Sequence, residues 1–169
     1  MIAIIAVLAF LADLGAKELA LAFLDPAKPI DLLGGLFSLR LLRNPGAAFS
    51  LGENMTVVFA VFAAVALTFV TVWLIPKVRV WSWAVIAGLL WAGIAGNLAD
   101  RLFREPSPFY GEVVDFISVP YFAVFNVADI WISCSAVLIV YFIAIRQQGV
   151  NGATLREPPA VPTDQVRQP

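Results

Sequence analysis

The chain has 169 residues, of which 61% are hydrophobic and 14% charged. Soluble domains carry about 45–50% apolar and about 25% charged residues, so this composition places the chain in a membrane. The net charge of −1 gives no electrostatic basis for nucleic acid binding. The chain has no histidine, which excludes Ser-His-Asp and Cys-His catalysis and argues against a zinc site. Its chemistry must come from Asp, Glu, Lys, Ser, Tyr or backbone groups.

The first apolar run spans about Met1 to Leu24. It lacks the charged leader and small-residue cleavage site of a signal peptide, and it contains Asp13, Lys17 and Glu18. It therefore reads as a span with polar cargo. Asp13 and Lys17 are spaced i,i+4 with the acid first, the favourable order for a pair on one helix face. An unpaired charge near a membrane centre costs roughly 2.5–3.5 kcal/mol on insertion scales, so pairing is expected.

From Asp25 to Asn54 the hydropathy breaks. Asp25-Pro26 and Gly34-Gly35 are turn chemistry. Leu36 to Leu42 partly alternates and predicts a short strand at the membrane surface. Arg43-Asn44-Pro45-Gly46-Ala47-Ala48-Phe49-Ser50 follows, where Asn44 can donate and accept and Gly46 permits close backbone approach. A second apolar run covers about Met55 to Ile75 and a third about Trp81 to Leu98, joined by a very short basic link. Gly88, Gly93 and Gly96 in the third allow helices to pack closely. Asn97, Asp100 and Arg101 fall on or near one face of its end.

The loop from Arg104 to Phe122 carries Pro106, Pro108 and Gly111, which suits a hinged lid. Within it, Val113 to Val119 predicts an extended segment holding Asp115 and ended by Pro120. The fourth run, about Ala123 to Ile145, holds Asn126 and Asp129 at i,i+3. A carboxylate in apolar surroundings costs several kcal/mol unless it is paired, protonated or functional. Asp115 and Asp129 therefore read either as a loop charge and a helix cap or as an acid and base brought together. Cys134 reads as a small buried residue.

Each run is long enough to cross about 30 Å of hydrocarbon. Four spans put both termini on one side and gather all the polar motifs at the other. The positive-inside rule gives no orientation: the tail and middle link hold Lys77, Arg79, Arg146, Arg156 and Arg167, against Lys28, Arg40, Arg43, Arg101 and Arg104 in the longer loops. The expected domain is residues 1–146, with a disordered Pro-rich tail over 147–169.

The motifs, taken together, resemble those of the lipoprotein signal peptidase (signal peptidase II) family of membrane aspartyl proteases. Asp13 and Lys17 keep the ends of its first motif, with Leu14 and Ala16 in place of polar residues. Asn44-Pro45-Gly46-Ala47-Ala48-Phe49 has Pro where Thr is usual. Gly93 to Arg101 keeps Gly96, Asn97, Asp100 and Arg101, with Ala92 where a first Gly is common. Val113-Val114-Asp115-Phe116 and Phe125-Asn126-Val127-Ala128-Asp129 match throughout.

The resemblance implies an all-α membrane fold of four transmembrane helices, with a small β-cradle after the first and an extracytoplasmic loop between the third and fourth. It implies Asp115 and Asp129 as the catalytic dyad. Asn44, Gly46, Asn97, Arg101 and Asn126 would hold substrate and dyad, Asp100 would orient Arg101, and Asp13 with Lys17 would brace the first helix. The implied substrate is a prolipoprotein whose lipobox cysteine bears diacylglyceryl, cut just before that cysteine. No cofactor, metal or nucleic acid is implied. Membrane lipid and the cyclic peptide globomycin are the other implied partners. The implied location is a bacterial plasma membrane, with cytoplasmic termini and the site near the outer face. Three rival readings remain at this level. One is a Ser-Lys protease using Lys17 with Ser50 or Ser118. Another is a transporter whose intramembrane Asp residues bind protons or cations. The last is a structural four-helix subunit.

Overall fold

The structure, a computed structural model, describes residues 1–46, 55–106 and 108–155. Helix α1 spans Ile2–Phe23. A hairpin of β1 (Ile30–Leu32) and β2 (Phe37–Asn44) follows. Helix α2 spans Met55–Phe69 and runs on through a π turn, Val70–Leu74, and a 3-10 turn, Ile75–Lys77. Helix α3 is Trp81–Phe103, strand β3 is Val113–Ser118, and helix α4 is Val127–Val140 with a closing π turn, Tyr141–Ile145.

Among the described residues, three helical segments are long and apolar enough to cross a membrane: Thr56–Lys77, Trp81–Phe103 and Val127–Ile145. Helix α1 has comparable length, 22 residues, but carries Asp13, Lys17 and Glu18. Its buried stripe is Ala6, Ala9, Asp13, Lys17 and Ala20, at intervals of three or four residues. Its outer face shows Ile4, Val7, Leu8, Leu11 and Leu19. Polarity is thus inverted relative to a soluble helix, as expected where lipid is the solvent.

Helix α3 packs against α1, α2 and α4. Small residues make those contacts close. A Cβ on Gly88 would meet Ile5 of α1 at 2.8 Å, and one on Gly93 would meet the Ala128 carbonyl of α4 at 2.6 Å. These are the glycines the sequence singles out for packing.

The strands form one antiparallel sheet in the order β1-β2-β3. The expected strand at Leu36–Leu42 is β2, extended to Asn44, and β1 was not foreseen. Glycines at the hairpin turn, Gly34 and Gly35, have φ of 69° and 91°, which suits their expected turn role. Leu42 lies opposite Asp115 and Asn44 opposite Val113, so Asn44 and Asp115 share a sheet face. The sheet's other face packs Val114, Phe116 and Leu41 against Ala20 and Leu24 at the end of α1.

Two expectations are corrected. Cys134 is exposed, on the outside of α4, because hydropathy in a membrane protein does not separate lipid-facing from buried positions. Residues 147–155 are not a disordered tail: Gln148 pairs with Thr154, Asn151 caps the Ala153 N–H, and Arg79 N–H donates to the Val150 carbonyl. Gly152, at φ 86°, makes that turn. The rest of the expected tail lies outside the described residues, as do Ala47 to Ser50.

Candidate active site

The site begins with β3. Its six residues alternate between faces, and Asp115 is carried inward, 2% exposed. Asn44 of β2 reaches it from the same sheet face and donates from Nδ2 to Asp115 Oδ2 at 2.9 Å. Asn44 is held in turn, since its Oδ1 accepts the Gly46 N–H at 2.9 Å. Gly46 has φ 107°, and a Cβ there would sit 2.8 Å from the Phe59 ring. Both facts demand glycine.

Asp129 arrives by a different route. Asn126 is the N-cap of α4, and the two form a capping box: Asp129 N–H donates to Asn126 Oδ1 and Asn126 N–H donates to Asp129 Oδ2, each at 3.1 Å. The cap reading of Asp129 is therefore correct, and it does not exclude a second role. Asn126 Nδ2 also donates to Asp115 Oδ1 at 2.6 Å and to Asn97 Oδ1 at 3.1 Å. Asn97 Nδ2 donates to Asp129 Oδ1 at 2.8 Å. Two asparagines thus tie the two carboxylates into one hydrogen-bonded circuit.

Beneath it lies a buried charge cluster. Lys17 Nζ is 2.8 Å from Asp13 Oδ2 and 2.8 Å from Asp100 Oδ2, with all three side chains buried. The same ammonium donates to Asn97 Oδ1 at 3.2 Å. It therefore sets the Asn97 amide so that Nδ2 faces Asp129. Asp13 Oδ1 accepts the Ala128 N–H of α4 at 2.8 Å, and Asp100 Oδ2 accepts the Val114 N–H of β3 at 3.2 Å. The pair expected to brace the first helix joins α1 to α3, α4 and β3.

Arg101 behaves differently from expectation. Its Nη1 donates to the Asn97 carbonyl at 3.1 Å, and its guanidinium lies 5.9 Å from the Phe59 ring. Asp100 instead accepts from Arg104 Nε at 2.6 Å, and Arg104 also pairs with Glu18 at 2.8 Å. Successive helix positions point about 100° apart. Asp100 therefore turns to α1 and β3, while Arg101 turns to α2. The Asp100–Arg104 link was readable as an i,i+4 pair, but Glu18 and Ala128 carried no sequence signal for their contacts.

The electrostatics distinguish Asp115. Burial pushes its carboxyl up from the ordinary value of 3.8 to about 6, the nearby charge of Asp129 adds to this, and the bonds from Asn44 and Asn126 oppose it. A carboxyl so poised can hold or release a proton near neutral pH.

The Ser-Lys alternative fits poorly. Lys17 is committed to two carboxylates and an amide oxygen, with no free lone pair to act as base. Ser118 lies opposite Ser38 at the far end of β3, and Ser50 is outside the described residues.

Comparison with known proteins gives the chain's family. The family described as signal peptidase (SPase) II matches residues 5–145. The lipoprotein signal peptidase of Streptomyces coelicolor is 46% identical over 136 residues, covering 80% of this chain and 66% of that protein. The protein of the same name from Leifsonia xyli subsp. xyli is 38% identical over 157 residues, covering 92% of this chain and 72% of its own length. The chain thus spans about two thirds of the length of the curated relatives it matches. A solved structure titled as a bacterial membrane enzyme superposes with a TM-score of 0.74 at 24% identity, covering 86% of this chain and 88% of that one, which shows a shared fold. The chain belongs to the signal peptidase II family and is a membrane protease.

Proposed function

We propose that the chain removes the signal peptide from diacylglyceryl-modified prolipoproteins, cutting before the lipidated cysteine, with Asp115 and Asp129 as its catalytic pair. The observation that carries this reading is the circuit Asp115–Asn126–Asn97–Asp129. Two carboxylates held this way share one proton more readily than they both ionise. The ionised member takes a proton from water as the water oxygen bonds to the scissile carbonyl carbon. The protonated member gives its proton to the carbonyl oxygen. As the tetrahedral species collapses, the C–N bond breaks and the leaving amine takes up a proton. The products are the signal peptide's new carboxyl end and the lipidated cysteine's free amine. The proton belongs to the pair rather than to either Asp.

Asn44, Asn97 and Asn126 hold the carboxylates. Gly46 lets the β2 end approach Phe59. Arg101 faces the site with a buried Nε–H that has no partner among the described residues, a donor suited to a substrate carbonyl. Asp13, Lys17 and Asp100 hold the platform beneath. The diacylglyceryl chains rest on apolar outer helix faces, where residues such as Phe62, Val65 and Val137 are exposed.

Helix α1 serves as a fourth span in this reading, with its charges neutralised inside the bundle. Both termini then lie in the cytoplasm of a bacterial cell and the site lies near the outer face of the plasma membrane. Residues 1–146 form the peptidase unit, and globomycin blocks it by occupying the substrate's place.

The test is cleavage of a diacylglyceryl-modified prolipoprotein in detergent by wild type, Asp115→Asn and Asp129→Asn, each checked for folding. The expected result is cutting before the lipidated cysteine by wild type and a loss of roughly 10²–10⁴-fold or more in each variant. A folded variant with near-wild-type turnover overturns the dyad. Cleavage-dead wild type with Asp-dependent ion uptake would move the chain to the transporter reading.

A further inference from the structure

The end of the bundle remote from the Asp pair holds a groove of about 680 Å³. Its walls are the first turns of α1, the link between α2 and α3, and the first half of α3. Ala3, Val7 and Ile75 line its sides, Arg79 and Trp81 its mouth, and Trp91 its inner end. Ligand sites commonly have volumes of about 300–1,000 Å³.

Its depth is informative. Trp81 and Trp91 are ten residues apart on one helix. At about 1.5 Å per residue the groove reaches about 15 Å inward, half of a hydrocarbon core of about 30 Å. The inner end is closed, because Trp91 Nε1 donates to Thr71 Oγ1 of α2 at 3.0 Å and its ring meets Phe10 of α1 edge-on at 6.4 Å. The groove is therefore closed at its inner end after a depth that suits one acyl chain of a single leaflet.

The charge around it is of one sign. Lys77, Arg79 and Arg146 stand at this end of the bundle. Every Asp and Glu among the described residues lies between Asp13 and Asp31 or between Asp100 and Asp129, at the other end. None of the three cations takes part in the ion pairs of the described residues. Lys77 lies over the Trp73 ring, and of the three cationic side chains it is Arg79 that lines the groove itself. A guanidinium matches a phosphodiester by paired hydrogen bonds. A signal peptide's leader is cationic and would be repelled here.

We propose that this groove binds one anionic phospholipid, an acyl chain running inward to Trp91 and the headgroup phosphate held by Arg79. This site is independent of the peptidase reading. It would make the protein's stability sensitive to the anionic lipid content of its membrane.

The test uses Trp fluorescence in nonionic detergent, titrating with phosphatidylglycerol or phosphatidylcholine brominated on identical acyl chains. The expected result is saturable quenching that favours phosphatidylglycerol about fivefold, the weight of one cation near an anionic surface. Trp91→Phe should remove most of the saturable quenching, and Ala3→Phe should weaken both lipids by filling the groove. Arg79→Gln should bring the two lipids to parity while Arg79→Lys keeps part of the preference, with circular dichroism checking each fold. Equal affinities in wild type overturn the proposal. So does a preference that survives Arg79→Gln, or one lost with Lys77→Gln instead.

Discussion

Asp115 receives one hydrogen bond on each oxygen, from Asn44 and Asn126, while burial favours its neutral form. Those opposing effects make a pH prediction. A singly protonated pair loses its needed proton as pH rises, so kcat/KM should fall along an alkaline limb whose position follows the pair's upper value. The Asn44 bond favours the ionised form, so Asn44→Ala should push that limb to higher pH, measured by initial rates across pH 5 to 9 (about the span in which such a pair titrates). A limb that stays put or moves down would remove Asn44 from the pair's electrostatics. The same shift affects stability with the opposite sign from an ordinary paired carboxylate. The folded form holds the proton more tightly than the unfolded chain, so stability is lost as pH rises from 3.8 toward about 6. The loss is on the order of 3 kcal/mol at most, by the raised value alone. Asp115→Asn should therefore flatten the fall of melting temperature between about pH 4 and pH 7 while being unable to cut, and an unchanged slope would remove Asp115 as its source. Lys17 is the converse case. Lys17→Met leaves Asp13 buried without a cation and Asp100 with only Arg104, and breaking such a buried pair costs about 3–5 kcal/mol. The expected outcome is a clear fall in melting temperature in detergent. An unchanged melt would mean that the cluster is not charged as drawn.

At the scale of elements, the close contacts of α3 set where the two carboxylates stand. A Cβ on Gly96 would overlap the Asp13 carboxylate, and one on Gly93 would press on the Ala128 carbonyl and Ile132. Helix α4 carries Asp129, so any separation of α3 from α4 stretches the Asn97–Asp129 bond. Gly93→Ala and Gly96→Ala should each cost about 1–3 kcal/mol by overpacking and reduce cleavage. Gly15→Ala is the control: it has open space around it and should be neutral or slightly stabilising. A scan in which all three variants melt alike would sink the close-packing argument. These elements were legible in uneven measure. Apolar run length gave the helices, and Pro120 with the β-branched segment before it gave β3. The i,i+3 and i,i+4 spacings gave the polar faces of α1, α3 and α4. What was missed depends on partners distant in sequence. Strand β1 exists because β2 offers an edge to Ile30–Leu32, and three residues carry too little pattern to announce that. The partner of Asp100 had to be chosen among neighbouring cations, and only the packed helix decides for Lys17 and Arg104 over Arg101.

At the scale of the whole molecule, two halves of opposite character meet along α3. The half with the Asp pair gathers the described carboxylates, the sheet and the buried cations, while the other half is apolar with cations at its rim. Convergence of the motifs at one end was legible, because alternating spans return every second loop to the same side. Orientation was not, since the loop cations balance and the rule that would orient them ignores acids. Labelling decides it. In a Cys134→Ala background, a cysteine at Asp31 in β1 and one at Asn151 in the closing turn lie on exposed sites at opposite ends. With a membrane-impermeant maleimide on intact spheroplasts, Asp31→Cys should label at once and Asn151→Cys only after permeabilisation. The reverse pattern would place the Asp pair on the cytoplasmic side, where a signal peptide's far end, rather than its cleavage site, is found. Labelling of both from outside would mean an even number of crossings between them, so that one of α2, α3 and α4 does not span the membrane. Displacement of α3 or α4 would also part Lys17 from Asp100 or Asp13 from the Ala128 N–H, so the labelling pattern and the Lys17→Met melt must agree.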